Sequence, residues 1–198
     1  MRNTQFESGA TNAASNNLVL SVMNDGMVYD ERIHAAKRLL QGMEPIRSFR
    51  DIANAEAQKQ RQHFGDKFKP QEITEAAKII QKESITDTME LIRDKYEAEG
   101  KPTIAAYCRR WFDKVNGNSY FSVNLITAGN AINIPMQYGY GSQWQYEVIN
   151  LLEKYGFIPK IPYYENGNKN YGYISEYPIH WDDQGYMLKK QMFDGLYL

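Results

Sequence analysis

Residues 111–127 read Trp111-Phe-Asp-Lys-Val-Asn-Gly-Asn-Ser-Tyr-Phe-Ser-Val-Asn-Leu-Ile-Thr127, and this stretch decides the fold. Polar and apolar side chains alternate from Tyr120 to Thr127, a pattern typical of a strand with one buried face. The segment Trp111–Val115 precedes it and can pair with it across Asn116-Gly117-Asn118. Asn-Gly tolerates the positive φ of a tight turn. The stretch therefore predicts an antiparallel hairpin.

The pattern continues downstream as a sheet and then a helix. A turn at Ala128–Asn130 leads into Ile132–Tyr138, where Pro135 lacks a backbone N–H and so favours an edge strand. Apolar residues then recur at helical spacing between Ser142, a candidate N-cap, and Gly156, a candidate stop. These segments predict a three-stranded antiparallel meander followed by a helix.

The C-terminal residues predict one further hairpin and a short helix. The hairpin turn is centred on Glu165–Asn168, with Tyr163-Tyr164 on one side and Tyr171–Trp181 on the other. The terminal helix is predicted over Gly185–Phe193.

Upstream of residue 100 the apolar period is helical instead. Residues 1–17 are small and polar, typical of a loose terminal arm. Helices are predicted over 30–42, over 48–63 with Ser48 and Asp51 as a capping box, and over 70–99, either as one helix or as two consecutive ones. The fold class is therefore α+β, with a helical region at 1–100 and an aromatic-rich α+β domain at 101–198. Gly100-Lys101-Pro102 marks the predicted boundary, and residues 101–198 are expected to fold alone.

Charge and apolar content limit the setting of the protein. Its 23 Lys and Arg balance 24 Asp and Glu, and a net charge of −1 predicts no strong attraction to nucleic acid or anionic membranes. No stretch approaches the roughly 18 apolar residues that span a bilayer. The amino terminus lacks the apolar core of a secretory signal, and the single cysteine, Cys108, has no internal disulfide partner. We therefore expect a cytoplasmic protein that does not associate with membranes.

Aromatic residues are concentrated in the second half of the chain. Thirteen of the 15 tyrosines and all three tryptophans lie beyond residue 100. A domain of this size rarely buries so many rings, so some should be exposed, and exposed Tyr and Trp dominate binding hot spots. The segment around the predicted strand-to-helix turn supplies the candidate partner-binding residues Tyr138, Tyr140, Trp144 and Tyr146.

Catalytic and metal-binding patterns are weak. His180 with Asp182 and Asp183 is the one cluster that resembles a hydrolytic or metal site. Arg109 and Arg110 would lower the pKa of a reactive Cys108 thiol, but no nucleophile signature surrounds it, and we favour a buried or semi-buried structural cysteine. Tyr138-Gly139-Tyr140-Gly141 either binds phosphate or, as we favour, makes a sharp strand-to-helix turn with glycines at positive φ. We therefore expect no catalytic residue, no metal site and no cofactor.

Two segments carry a resemblance to known proteins. Residues 111–122 and Gln137-Tyr138-Gly139-Tyr140-Gly141 resemble a group of small bacteriophage proteins with a similar hairpin, turn and helix; the similarity covers about 109–156 and implies a phage origin without catalytic residues. The strand–strand–strand–helix order is also similar to the latter part of double-stranded-RNA-binding domains. Those domains hold phosphates with lysines at the start of the helix, whereas residues 142–147 here contain none.

Three hypotheses for function follow. The first is a non-enzymatic phage accessory protein that acts in the host cytoplasm by binding a host protein, for example as an inhibitor of host defence. The second is a nucleic-acid-binding protein of phage DNA metabolism, with Arg109, Arg110 and Lys114 contacting phosphates and tyrosines stacking on bases. The third is a metal-dependent hydrolase that uses the His180 cluster.

Overall fold

A computed structural model describes residues 13–170 and 177–192 and shows an α+β fold. Within these ranges the helices are α1 (Ala13–Asn24), α2 (Gly26–Leu40), α3 (Phe49–Phe64), α4 (Pro70–Ala98) and α5 (Gln143–Lys154). The strands are β1 (Ile104–Asp113), β2 (Asn118–Thr127), β3 (Asn130–Tyr138) and β4 (Ile179–Tyr186), and a 3₁₀ turn follows at Lys189–Met192. The predicted class, with helices first and a sheet second, is confirmed.

The chain divides into two compact units. The first comprises residues 1–39 and 44–88, and the second comprises 40–43 and 89–198. Helix α4 contributes its first five turns to the first unit and its last residues to the second, because the division falls between Thr88 and Met89. This division does not test whether residues 101–198 fold alone, so the domain boundary at Gly100-Lys101-Pro102 stays a prediction.

The first unit is a helical core formed by α1, α2, α3 and the start of α4. Small and branched apolar side chains from all four helices are buried together; they include Leu18, Val22, Ala36, Ile52, Ala53, Ala76 and Ile80. The predicted capping box of α3 is present, since Ser48 and Asp51 exchange side-chain and backbone hydrogen bonds. Gly65 ends α3 in the left-handed conformation at φ 77°, which glycine adopts without strain.

Two helix starts differ from the predictions. Residues 13–17 belong to α1 rather than to an arm, because Ser15 is buried and its hydroxyl donates to the Glu72 carbonyl; residues 1–12 lie outside the described ranges. Helix α2 begins at Gly26 rather than near Asp30. The Asp25 carboxylate accepts from the Met27 backbone N–H at 2.9 Å and so supplies the cap.

The second unit contains a four-stranded sheet in the order β3-β2-β1-β4. The meander β1-β2-β3 is antiparallel, and β3 with Pro135 lies at an edge as predicted. One face is buried and includes Phe121, Val123 and Leu125, the apolar face that alternation predicts. Helix α5 lies on this face, and its Trp144 packs on Trp181 of β4 with ring centroids 5.4 Å apart.

At the other edge of the sheet, β4 pairs with β1 instead of forming the predicted second hairpin. Strand β4 pairs in parallel with β1, from Ile104 opposite Ile179 to Cys108 opposite Asp183. The predicted hairpin survives as one bridge, Tyr163 to Lys169, and residues 171–176 lie outside the described ranges. The prediction missed this pairing because β1 begins at Ile104, and β4 pairs with residues upstream of the predicted strand at Trp111–Val115.

Three local expectations in the second unit are also corrected. Lys114 and Val115 belong to the β1–β2 turn and not to a strand. Gly185 lies in β4, so the terminal helix is reduced to the 3₁₀ turn, and Phe193 lies outside the described ranges. Ser142 precedes α5 but makes no side-chain capping hydrogen bond.

Candidate binding surface

Four aromatic rings form a continuous row across the second unit. The strand register places Trp111 of β1 opposite Tyr120 of β2, and Tyr120 opposite Tyr138 of β3. Tyr140 follows in the turn after β3. Consecutive ring centroids are 5.2, 6.0 and 5.1 Å apart, within the range of favourable aromatic contacts. We call these four residues the aromatic row.

The exposed end of the aromatic row is held in place by its own contacts. Tyr138 stands nearly perpendicular to both neighbours, with interplanar angles of 82° to Tyr120 and 86° to Tyr140. The side-chain hydrogen bond to Tyr140 raises the pKa of Tyr138 above its ordinary value. The Tyr140 hydroxyl lies 3.4 Å from Asn118 Oδ1, on the β1–β2 hairpin. Tyr138 and Tyr140 nevertheless stay 52% and 49% exposed.

A lysine covers the opposite end of the row. Lys189 Nζ lies 4.9 Å from the centre of the Trp111 ring, a cation–π distance. Asp113 is nearby: the side-chain hydrogen bond from Asn116 holds its pKa below the ordinary value, and the charge of Lys189 adds to the effect. Sequence reasoning missed Lys189, because a 3₁₀ turn after β4 carries no periodicity that points to Trp111.

A groove opens beside Trp111, where β1 and β4 end. Its volume is about 880 Å³. We call it the β1–β4 groove; its walls are Trp111, Phe112, Lys114, Ser119, Gln184, Tyr186, Met187 and Leu188. Phe112, Tyr186 and Leu188 are 42%, 65% and 63% exposed, and Val115 in the adjoining turn is 90% exposed. Large apolar side chains are thus concentrated on one rim of the sheet.

The four candidate partner-binding residues do not share one environment. Tyr138 and Tyr140 lie together in the aromatic row, whereas Tyr146 lies on α5 with 37% exposure. Trp144 is 3% exposed and packs against Trp181, so the structure removes it from the candidate surface. The signal for its burial was present in the sequence, because Trp144 shares the apolar side of α5 with Val148 and Leu152.

Two of the three candidate phosphate-binding cations are engaged by β4. Arg110 forms an ion pair with Asp183 of β4, and Arg109 Nε donates to Gln184 Oε1 at 3.3 Å. Both guanidinium groups therefore bind the neighbouring strand. Lys114 is exposed in the β1–β2 turn.

Cys108 is unsuited to nucleophilic catalysis. It is fully buried, and desolvation raises the pKa of its thiol to about 12; Asp183 adds to the rise, and Arg110 opposes it. Arg110 acts in the expected direction on this pKa, but burial dominates and the net shift is upward, as befits a buried structural cysteine.

The His180 cluster is divided between the two faces of β4. His180 is exposed opposite Ala105, Asp182 lies opposite Tyr107, and Asp183 faces the other way and pairs with Arg110. Among residues 13–170 and 177–192, no group of three or more His, Cys, Asp or Glu side chains is placed to hold a metal ion.

Glycine is favoured at the two positions of the strand-to-helix turn for different structural reasons. Gly141 has φ +53°, with open space around its Cα. Gly139 does not have the positive φ that the sequence suggested. It is buried, and a β-carbon there would lie 2.9 Å from both Phe121 Cδ1 and Gln143 Oε1.

Comparison with known proteins adds no family to this description. No helix in the described part of the chain combines the length and apolarity needed to cross a bilayer. No protein-family model matches the sequence, and neither a curated protein nor a solved structure is significantly similar to it.

Proposed function

We propose that this chain is a non-enzymatic binding protein that recognises a protein partner through the aromatic row. One observation carries the proposal: Tyr138 and Tyr140 are half exposed although their rings contact each other and the Tyr140 hydroxyl donates to Asn118 Oδ1. If the two tyrosines were buried, they would only stabilise the core. If they were mobile, they would lose conformational entropy on binding. The two rings are instead exposed and held by contacts.

Rigid exposed tyrosines favour association for a physical reason. Each ring removes a large apolar area from water when a partner covers it, while its hydroxyl still finds a hydrogen bond. Because Tyr140 contacts both Tyr138 and the β1–β2 hairpin, little side-chain freedom remains to be lost. This combination is typical of binding hot spots.

The resemblance of residues 109–156 to phage proteins supports a biological setting for this proposal. In that setting the partner is a host protein, and a component of host defence is the class we favour. The protein would then act in the host cytoplasm.

A second candidate function is binding of single-stranded nucleic acid, favoured by Lys189 at one end of a row of exposed and partly exposed aromatic rings. Aromatic platforms flanked by cations bind bases and phosphates without sequence preference. The engagement of Arg109 and Arg110 by β4 argues against it, because phosphate contacts would have to replace those bonds.

A pull-down from bacterial host lysate tests the leading proposal. Immobilised wild-type protein is compared with Tyr138→Ala and Tyr140→Ala, and Tyr164→Ala serves as the matched control because it is 50% exposed outside the row. For a partner captured by the wild type, we expect each row variant to lose about 2 kcal/mol of binding free energy, roughly 30-fold in affinity, and the control to lose none. Circular dichroism confirms that each variant is folded. Equal capture by all four proteins would contradict the proposal.

A further inference from the structure

The β1–β4 groove has the walls of a side-chain pocket. A volume of about 880 Å³ falls within the range of ligand pockets and exceeds what one large side chain needs. The exposed groups on its rim are bulky and apolar: Phe112, Tyr186, Leu188 and, in the adjoining turn, Val115. Contiguous apolar groups of this kind on a surface mark contact sites for other molecules.

Charge at the groove is positive. Lys114 forms part of the groove wall, and Lys189 lies over Trp111 at the same end. The carboxylates nearby are engaged by the chain itself. Asp113 accepts from the Asn116 side chain at 2.7 Å and from the Val115 N–H at 3.0 Å, and Asp183 pairs with Arg110 and accepts from the Gly185 N–H. Arg110 neutralises Asp183, whereas Asp113 keeps its charge and interacts with Lys189. Lys114 and Lys189 together therefore exceed Asp113 by one positive charge, which an approaching acidic molecule would meet.

We propose that the β1–β4 groove takes a bulky apolar side chain from an acidic segment of the protein partner, whose flanking carboxylates contact Lys114 and Lys189. This inference rests on the proposed function, since Trp111 belongs to both the groove and the aromatic row. It extends the contact surface from Tyr140 along the row and past Trp111 to Tyr186. The segment that fits is an acidic peptide with an aromatic or leucine anchor.

Two features favour an acidic protein segment over a nucleic acid in the groove. Its walls include the aliphatic side chains Met187 and Leu188, which suit an inserted apolar group better than a polar base edge. Phosphate binding to a strand uses several cations, and two of those nearest, Arg109 and Arg110, already bond to β4.

Fluorescence anisotropy with defined probes tests the inference. The probes are a short labelled peptide of Asp and Glu around a central Leu-Phe, the same peptide with Ser-Ser at the centre, the same peptide with Lys replacing every acid, and labelled oligo(dT). We expect the acidic Leu-Phe peptide to bind and the other two peptides to bind at least tenfold more weakly. Lys114→Glu combined with Lys189→Glu should weaken peptide binding at least tenfold. Tyr186→Ala should also weaken it at least tenfold, although both lysines are still present.

The controls separate this inference from the proposed function. Lys160→Glu reverses an exposed charge of the same unit outside the groove and should leave peptide affinity unchanged. Absence of peptide binding at about 1 mM overturns the inference. Salt-sensitive binding of oligo(dT) without peptide binding also overturns it and favours nucleic acid. If the peptides fail while capture of a lysate protein still depends on Tyr138 and Tyr140, the proposed function stands and the groove assignment alone is lost.

Discussion

Gly139 and the Phe121 ring are in such close contact that no side chain fits between them. A β-carbon at Gly139 would lie 2.9 Å from Phe121 Cδ1, and Phe121 is only 3% exposed. The glycine therefore allows the chain leaving β3 to cross the buried face of β2 before α5 begins. Its absence of a side chain, rather than an unusual φ, is what this position requires.

Gly139→Ala should destabilise the protein by about 2 kcal/mol, because an added methyl group overpacks a closed site. Gly141→Ala should cost about 1 kcal/mol, since its φ of +53° strains an alanine while the surrounding space is open. Gly141→Asn should cost less, because Asn adopts the left-handed region more readily. Urea unfolding measures all three. A loss for Gly139→Ala no larger than for Gly141→Asn would contradict the packing account.

Cys108 should make stability fall at alkaline pH. Its folded pKa of about 12 exceeds the ordinary value of 9.0, so the folded state holds the thiol proton more tightly than the unfolded state does. This contribution is complete below pH 9 and is lost as the pH rises toward 12. Unfolding free energies measured from pH 8 to 11 should fall more steeply for the wild type than for Cys108→Ala, which removes this proton while leaving the tyrosines to titrate in both proteins. Parallel slopes would show that Cys108 does not contribute.

The start of the second folding unit can be tested with two fragments. Residues 101–198 are expected from sequence to fold alone, but Tyr96 of α4 is 1% exposed and packs on Phe157 with ring centroids 5.5 Å apart. Fragment 89–198 keeps this contact and should be more stable by at least about 3 kcal/mol, the scale of losing a large buried aromatic side chain. Amide NMR dispersion and thermal unfolding compare the two. Equal stability would place the last turns of α4 outside the folding unit.

Arg32 in the first unit should respond unequally to two substitutions. It is 1% exposed and donates to Ser84 Oγ at 3.0 Å and to Asp87 Oδ2 at 3.3 Å. Asp87→Ala leaves a buried guanidinium without its counter-charge and should cost about 2 kcal/mol, whereas Arg32→Met replaces the charge with an apolar group and should cost about 1 kcal/mol or less. Chemical denaturation gives both values. The reverse order would mean that packing of the Arg32 stem outweighs its charge.

Local signals in the sequence predicted much of the fold. Alternation correctly predicted the buried face of β2, and Pro135 correctly predicted that β3 lies at the edge of the sheet. Ser48 with Asp51 correctly predicted the start of α3. Each of these signals acts within a few residues. The parallel pairing of β4 was missed. Its sequence Ile-His-Trp-Asp-Asp-Gln-Gly-Tyr lacks a clear alternation, and its partner is far away along the chain. Helix α1 was not predicted, since Asn and Ser are weak helix formers and tertiary contacts of Ser15 stabilise its first turn.

The composition of the sequence predicted that the candidate surface is rich in tyrosine, but it did not predict which rings contact each other. An excess of tyrosine indicated exposed rings, and Tyr138 with Tyr140 came from that reasoning. The contact of Trp111 with Tyr120 depends on cross-strand register, and a shift of one residue would have placed Trp111 on the other face. Lys189 could not be found from its neighbours, because its position over Trp111 follows from the path of the chain after β4.

The parallel pairing of β1 with β4 also sets an order of events during folding. Adjacent hairpins close the meander β1-β2-β3, whereas Arg109 meets Gln184 across 75 residues of chain. Closing so long a loop costs more entropy than forming a hairpin, and non-local pairings slow folding. The meander with Trp111, Tyr120 and Tyr138 can therefore form before β4 docks, but the groove needs both strands. A newly synthesised molecule would present its tyrosines first and would acquire the wall that carries Tyr186 and Leu188 last.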